Sequence, residues 1–98
     1  MTIEIKKNVD ELVLEITGRL DTITAPALDK TINENLVELK SLILDFKYLE
    51  YISSAGLRVL LSAQKKMQQD GIMKIKNVCE EVMGVFEMTG FADILTIE

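Results

Sequence analysis

The feature that most constrains the fold is a short apolar run, Leu42-Ile43-Leu44-Asp45-Phe46, which contains a single charged residue. A run of this length is typical of a central β-strand that is covered on both faces, and such strands are usually parallel. Parallel neighbours need long crossover connections, which are usually helices. The run therefore predicts an α/β fold in which helices alternate with strands.

The segments on either side of this run fit that prediction. Two stretches near the start alternate apolar and polar residues and are joined by Asn8-Val9-Asp10, which indicates an antiparallel hairpin. Thr24 can cap the helix that follows, and Pro26 is tolerated in its first turn. Lys47–Ser53 is expected to be the loop that leaves the central strand. The predicted order is β-β-α-β-α-β-α-β, a mixed sheet of four to five strands with three helices. The strands are expected at 2–6, 12–18, 42–46, 73–77 and 94–97, and the helices at 25–39, 54–69 and 80–89.

Composition limits the possible functions. The chain has 98 residues, 48% of them apolar, so we expect a single domain over residues 1–98. No apolar run approaches the roughly 20 residues of a membrane span, and the alternating start does not resemble a secretory leader, so we expect a cytoplasmic protein without a membrane partner. The net charge of −5 disfavours nucleic acid and favours a protein partner with a basic surface. With no histidine and one cysteine, we expect no enzyme activity, cofactor or metal.

The stretch YISSAGL, residues 51–57, follows the apolar strand and opens a predicted helix. Ser53 or Ser54 can serve as a helix cap, but a cap needs only one hydroxyl. The alternative is that one serine is modified, since a helix N-terminus at the carboxyl end of a parallel strand favours a phosphate. Gly56 has no Cβ, and we expect it to permit the close approach of another molecule. The residues alone leave both interpretations open.

Three segments in order resemble one family. "LILDFKYLEYISSAGLRVLL" resembles the signature of the STAS-domain anti-sigma factor antagonists, in which an apolar strand leads to Asp-Ser-[Ser/Thr]-Gly-Leu at a helix start. "GRLDTITAPAL" resembles that family's Gly-x-Leu-Asp motif, and "VMGVFEMTGFADILTI" resembles its closing helix and short strand. Together the segments cover almost the whole chain, so the resemblance implies a single STAS domain.

The resemblance implies a partner-switching regulator that is a phosphorylation substrate. Alignment on Gly56 and Leu57 places the family's phosphorylated serine at Ser54, with Ser53 as the fallback. In the family, a serine kinase of the histidine-kinase-like ATPase fold, which is also the anti-sigma factor, adds the phosphate. A metal-dependent serine phosphatase removes it. Only the unphosphorylated antagonist, expected here to be a monomer, binds the kinase and releases the sigma factor.

Two residues depart from the family pattern. Ser53 stands where the family usually has Asp, which removes a negative charge beside the acceptor and adds a second hydroxyl. Ala55 stands where Ser, Thr or Gly is usual, which leaves one neighbouring hydroxyl fewer and favours Ser54. The Ser53 substitution keeps open an alternative function, a STAS scaffold that binds its partner constitutively without phosphorylation.

Other polar residues are candidates for the partner surface. By the resemblance, Asp21 lies near the serines and helps the kinase to dock, although it can equally cap a turn or the next helix. Thr22 is a further candidate contact, and like Thr24 it is interpreted first as a cap. Arg58 can pair with Asp21, with Asp45 or with a phosphate on Ser54, or it can contact the partner. The predicted partner-binding set is Asp21, Thr22, Ser53, Ser54, Ala55, Gly56 and Arg58.

Overall fold

The computed structural model describes all residues, 1–98, and its elements follow the predicted order up to the third helix. The sheet order is β1-β2-β3-β4, with β1 antiparallel to β2 and the other pairs parallel. The predicted hairpin and parallel crossovers are therefore confirmed. The elements are β1 (Thr2–Lys7), β2 (Glu11–Leu20), α1 (Ala25–Glu34), β3 (Ser41–Ile52), α2 (Ser54–Met67), β4 (Ile72–Lys76), α3 (Glu80–Thr89) and a 3₁₀ turn (Phe91–Asp93).

One hydrophobic core lies between a single face of the sheet and the helices. In β3, Leu42, Leu44 and Phe46 are fully buried, whereas Ile43 and Asp45 are only half-buried. The same alternation occurs in β2. The prediction of a strand covered on both faces is therefore wrong, because the helices cover one face and leave the other to solvent. The core has 23 buried residues, and no helix is both long enough and apolar enough to span a membrane.

The first helix and the last strand are shorter than predicted. The first helix ends at Glu34 with Asn35 as its C-cap, yet Leu39 is still buried, because the following connection folds it into the core. The predicted last strand at 94–97 is reduced to one bridge, in which Ile97 lies beside Ile75 of β4. Two hydrogen bonds hold this segment, from Ile75 N–H to the carbonyl of Thr96 at 2.9 Å and from Glu98 N–H to that of Ile75 at 2.8 Å.

The prediction that Lys47–Ser53 is a loop is also wrong, since β3 continues to Ile52. Beyond the end of β4, this part of β3 stays paired with β2, and Leu20 lies opposite Ile52. The register shifts twice, so β3 carries two more residues than β2 over this stretch. Such bulges bend a strand and redirect its side chains. Because β3 remains paired with β2 up to Ile52, Ser53 and Ser54 follow directly after a hydrogen-bonded strand.

Candidate functional site

The candidate site lies at the carboxyl ends of β2 and β3, where α1 and α2 begin. Ser53 N–H donates a hydrogen bond of 2.9 Å to the carbonyl of Leu20, so the two strand ends are tied together. The connection from β2 to α1, Asp21–Thr24, is called the β2–α1 loop below. This bond places the loop beside the first turn of α2, as the resemblance implied for Asp21.

The two serines occupy different environments. Ser53 is at the N-cap position of α2, with an extended backbone, but its side chain makes no capping hydrogen bond. Its Oγ is buried and has no hydrogen-bond partner. Ser54 is the first residue of the helix and is exposed. Neither hydroxyl therefore acts as the expected side-chain cap, and only that of Ser54 is open to another molecule.

The electrostatic surroundings of Ser54 favour negative charge. It lies at the N-terminus of a helix of 14 residues, and the first turn contains no acidic residue. Arg58 is exposed one turn further along. The two ion pairs in the structure join Arg19 to Asp21 and Lys74 to Glu98, so Arg58 pairs with neither of its predicted carboxylates. Its guanidinium remains available to an anion on this surface.

Gly56 is buried, and the expectation that it admits another molecule is wrong. A Cβ there would lie 2.8 Å from both Leu20 Cγ and Ile52 Cγ1 and 3.0 Å from the carbonyl oxygen of Leu20. The close approach that requires glycine is thus made by the protein's own strands. Gly56 contributes to the site by letting α2 start tightly against the ends of β2 and β3.

Asp21 organises the β2–α1 loop. Its Oδ1 accepts hydrogen bonds from the backbone N–H groups of Ile23 at 3.0 Å and Thr24 at 3.1 Å. Thr24 occupies the N-cap position of α1 but makes no side-chain capping bond to the helix. Its Oγ1 instead accepts from Asp21 N–H at 2.9 Å and donates to the carbonyl of Arg19 at 2.8 Å. The side-chain cap predicted for Thr24 is therefore absent, and Asp21 instead stabilises the turn that precedes α1.

We predict that the stability of the domain depends on pH through the Asp21 carboxylate. The backbone N–H of Thr24 lowers the pKa of Asp21 below its usual value, with smaller contributions in the same direction from Ile23 N–H and Arg19. A lowered folded-state pKa adds stability above the unfolded-state pKa of about 3.9, and this is lost as pH falls through the folded-state value. We expect wild type to exceed Asp21→Asn in melting temperature at pH 5, with the difference shrinking towards pH 2. A difference that is constant over this range would contradict the assignment.

A groove of about 510 Å³ joins the β2–α1 loop to the start of α2. Thr22, Ala55 and Arg58, three of the predicted contact residues, line it together. The exposed Thr22 lies in the loop, and Ala55 and Arg58 lie in the first turns of the helix. The other lining residues are Ala25, Pro26, Asp29, Val59 and Ser62. The structure thus brings these three residues to one surface.

Asp45 lies away from this site. Its Oδ1 accepts hydrogen bonds of 3.0 Å from Lys47 N–H and from the side-chain amide of Asn77. It is level with the end of β4, seven residues before Ile52. The ion pair suggested between Asp45 and Arg58 is therefore absent, because β3 is longer than the apolar run indicates.

Sequence reasoning missed two features of this end of the sheet. The Arg19 guanidinium stacks 4.0 Å from the centroid of the Tyr51 ring, and the two residues are cross-strand partners. Ile23 lies in the β2–α1 loop and is 87% exposed. The stacking of Arg19 on Tyr51 could be predicted only if the continuation of β3 were known. The exposure of Ile23 had a signal in the sequence, because this isoleucine is flanked by threonines in "DTIT".

Comparison with known proteins identifies the fold and the family. The crystal structure of an anti-sigma factor antagonist from Mycobacterium paratuberculosis aligns with a TM-score of 0.87, over 98% of this chain and 83% of that one, at 21% identity. The sequence model of the STAS domain matches residues 1–98. The chain belongs to the STAS family. The resemblance first noted in three short motifs is thereby confirmed over the full sequence of this STAS domain.

Relatives of this STAS domain include an anti-sigma factor antagonist. The anti-sigma-B factor antagonist of Bacillus subtilis is 28% identical over 98 residues, which cover 99% of this STAS domain and 90% of that protein. The Bacillus cell fate determinant SpoIIAA, solved in its phosphorylated form, aligns with a TM-score of 0.77 at 16% identity, over 99% of this domain and 91% of that chain. At that identity, the SpoIIAA structure supports the fold alone.

Proposed function

We propose that this STAS domain is an anti-sigma factor antagonist that is switched off by phosphorylation of Ser54. In its unphosphorylated form it binds an anti-sigma factor, which thereby releases the sigma factor. The B. subtilis relative is named an anti-sigma-B factor antagonist, and the match to this domain covers nearly its whole length. The domain acts as a binding partner and a kinase substrate in the cytoplasm, as a monomer, and performs no catalysis itself.

The observation that carries this proposal is the contrast between the two serines. The Ser53 hydroxyl is buried against its own chain, whereas Ser54 is exposed at a helix N-terminus. A kinase must reach the oxygen that it phosphorylates, and the helix N-terminus then stabilises the added charge. The arrangement favours Ser54 as the acceptor and makes Ser53 a poor fallback.

The proposed partners follow from the family. The anti-sigma factor is itself a serine kinase of the histidine-kinase-like ATPase fold, and a metal-dependent serine phosphatase restores the unphosphorylated form. The contact surface for the kinase consists of Ser54, Ala55 and Arg58 on α2 together with Asp21 and Thr22. Two observations support a single surface for these residues: Thr22, Ala55 and Arg58 line the same groove, and the Ser53–Leu20 hydrogen bond holds the β2–α1 loop beside α2.

The proposal is tested with purified ATPase-type anti-sigma kinases encoded in the source genome. Each is mixed with the domain, and binding is measured by calorimetry before and after incubation with ATP and Mg²⁺; the modified residue is located by mass spectrometry. We expect one kinase to bind, to phosphorylate Ser54 and to lose affinity for the product. Binding without phosphorylation would favour the constitutive scaffold, and no binding to any kinase would overturn the proposed function.

A further inference from the structure

We infer that Ile23 is an apolar anchor of the partner interface and that the anti-sigma factor presents a hydrophobic pocket to receive it. The inference rests on the proposed function, because it names a feature of the same partner. It adds a residue that the motif comparison did not select. It also specifies the chemistry of the opposing surface, which the serine loop alone does not.

The exposure of Ile23 is unfavourable for an isolated domain. Its side chain is 87% exposed, so nearly all of its apolar surface remains in water. Single exposed apolar residues are common on protein surfaces and do not by themselves indicate a site. What distinguishes Ile23 is the way that its backbone is held and the surface to which it belongs.

The backbone around Ile23 is fixed by the β2–α1 loop. Ile23 N–H donates to Asp21 Oδ1, and the neighbouring Thr24 N–H donates to the same oxygen. Ala25 N–H donates to the carbonyl of Asp21 at 2.8 Å, and the Thr24 hydroxyl bridges back to Arg19. A side chain presented on an ordered loop loses less conformational entropy on binding than one on a mobile loop. Ile23 is thus exposed on an ordered loop before any partner binds.

Ile23 belongs to the same end of the sheet as Ser54. Its neighbour Thr22 lines the groove that Ala55 and Arg58 also line. Around that groove, Pro26, Ala55 and Val59 supply apolar surface, and Asp29 and Arg58 supply charges of opposite sign. Protein–protein interfaces likewise combine apolar and polar side chains. A partner that docks on Ser54 therefore meets Ile23 in the same contact.

Two other highly exposed apolar residues, both valines, provide internal comparisons. Val9 is 98% exposed and Val37 is 84% exposed. Val9 lies in the β1–β2 turn and Val37 in the connection to β3, so both lie at the opposite end of the sheet from Ser54. At that end, the β1–β2 turn and the connection to β3 are linked by Asp10, whose carbonyl accepts hydrogen bonds from the N–H groups of Lys40 and Ser41. A partner seated on Ser54 does not reach them.

The test measures the affinity of the kinase found under the proposed function for Ile23→Ala, Ile23→Leu and Val37→Ala. Burying the carbon atoms that alanine lacks is worth about a ten- to hundredfold change in affinity. We expect Ile23→Ala to bind about ten- to a hundredfold more weakly, Ile23→Leu to remain within a few-fold of wild type, and Val37→Ala to match it. The melting temperature of Ile23→Ala should not fall, because the side chain is exposed.

Two further readouts separate anchoring from a structural effect. With the kinase as enzyme, Ile23→Ala should raise KM for the domain and leave kcat near wild type, since Ser54 is untouched. In the complex, the ¹³C-labelled δ1 methyl of Ile23 should shift, whereas that of Ile5 on β1 should not. Wild-type affinity for Ile23→Ala, or an unshifted Ile23 methyl, would overturn the anchor and leave the proposed function standing. A wild-type domain that binds no kinase would instead refute the proposed function.

Discussion

Ser54→Asp is expected to weaken binding to the anti-sigma factor strongly, and phosphorylation of Ser54 to weaken it several hundredfold. A phosphate adds about 1.5 to 2 negative charges at neutral pH. Within the free domain this charge is stabilised by the N-terminus of α2, by up to about 1 kcal/mol. In a complex the charge must be desolvated, and an unpaired buried charge costs several kcal/mol. A penalty of about 3 to 4 kcal/mol corresponds to a several-hundredfold loss of affinity.

The companion variant Ser54→Ala should bind the anti-sigma factor and accept no phosphate, so the switch stays on. Affinity before and after treatment with kinase and ATP measures both properties. The single carboxylate of Ser54→Asp carries less charge than a phosphate, so its effect should be the smaller of the two. The unfolding temperature of the phosphorylated domain should hold or rise slightly, which would show that binding is lost without unfolding.

Ser53→Ala is the matched control, one residue away. It should remain a substrate and remain switchable, because Ser54 is untouched. Its stability should not fall, since it removes a buried hydroxyl that has no hydrogen-bond partner. If Ser53→Ala abolished phosphorylation while Ser54→Ala left it intact, the acceptor would be Ser53. If neither variant changed phosphorylation or binding, both serines would be irrelevant to the switch.

Gly56→Ala is expected to destabilise the domain by about 1 to 2 kcal/mol. The added methyl would lie 2.8 Å from carbon atoms of Leu20 and Ile52 and 3.0 Å from a backbone oxygen. Overpacking of this kind costs about 1 to 3 kcal/mol, while the better helix propensity of alanine returns up to about 1 kcal/mol. For a domain of this size, the net loss lowers the melting temperature by about 5 to 15 °C. Thermal unfolding followed by circular dichroism measures it.

Gly84→Ala is the control for this prediction. Gly84 lies within α3, and a Cβ there would meet nothing within 4 Å. Only the propensity term remains, so the variant should be more stable by about 0.5 to 1 kcal/mol. Opposite signs for the two substitutions would establish that close packing, rather than helix propensity, requires glycine at position 56. Equal stabilisation by both would refute that account.

The sequence was most informative where a local pattern and the tertiary environment agree. The alternation in β2 and the apolar run of β3 predicted strands correctly, because one helix-covered face imposes a period of two. The motif around Ser54 predicted a helix start, and α2 begins at that residue. The position of Asp21 beside this helix followed from the family resemblance and is consistent with the Leu20–Ile52 register.

The remaining features depend on contacts between distant parts of the chain. The burial of Ser53 Oγ and the tight packing around Gly56 arise only when β2 ends against β3, and no local pattern encodes that approach. The extension of β3 was missed because its bulges break the alternation and expose Lys47, Tyr48 and Glu50. The last strand was overestimated because an apolar segment does not specify how many ladder bonds it makes.

Because β3 stays paired with β2 up to Ile52 in spite of its two bulges, the backbone at Ser54 has little freedom to move away from the sheet. A kinase that modifies an unstructured tail can draw its substrate into a cleft, whereas this serine cannot be drawn out without breaking the β2–β3 ladder. The proposed kinase must therefore close around a preformed helix end. It would read a surface assembled from two stretches that are some thirty residues apart in the chain. A linear consensus around the serine would consequently miss the part of the proposed recognition surface that lies on the β2–α1 loop.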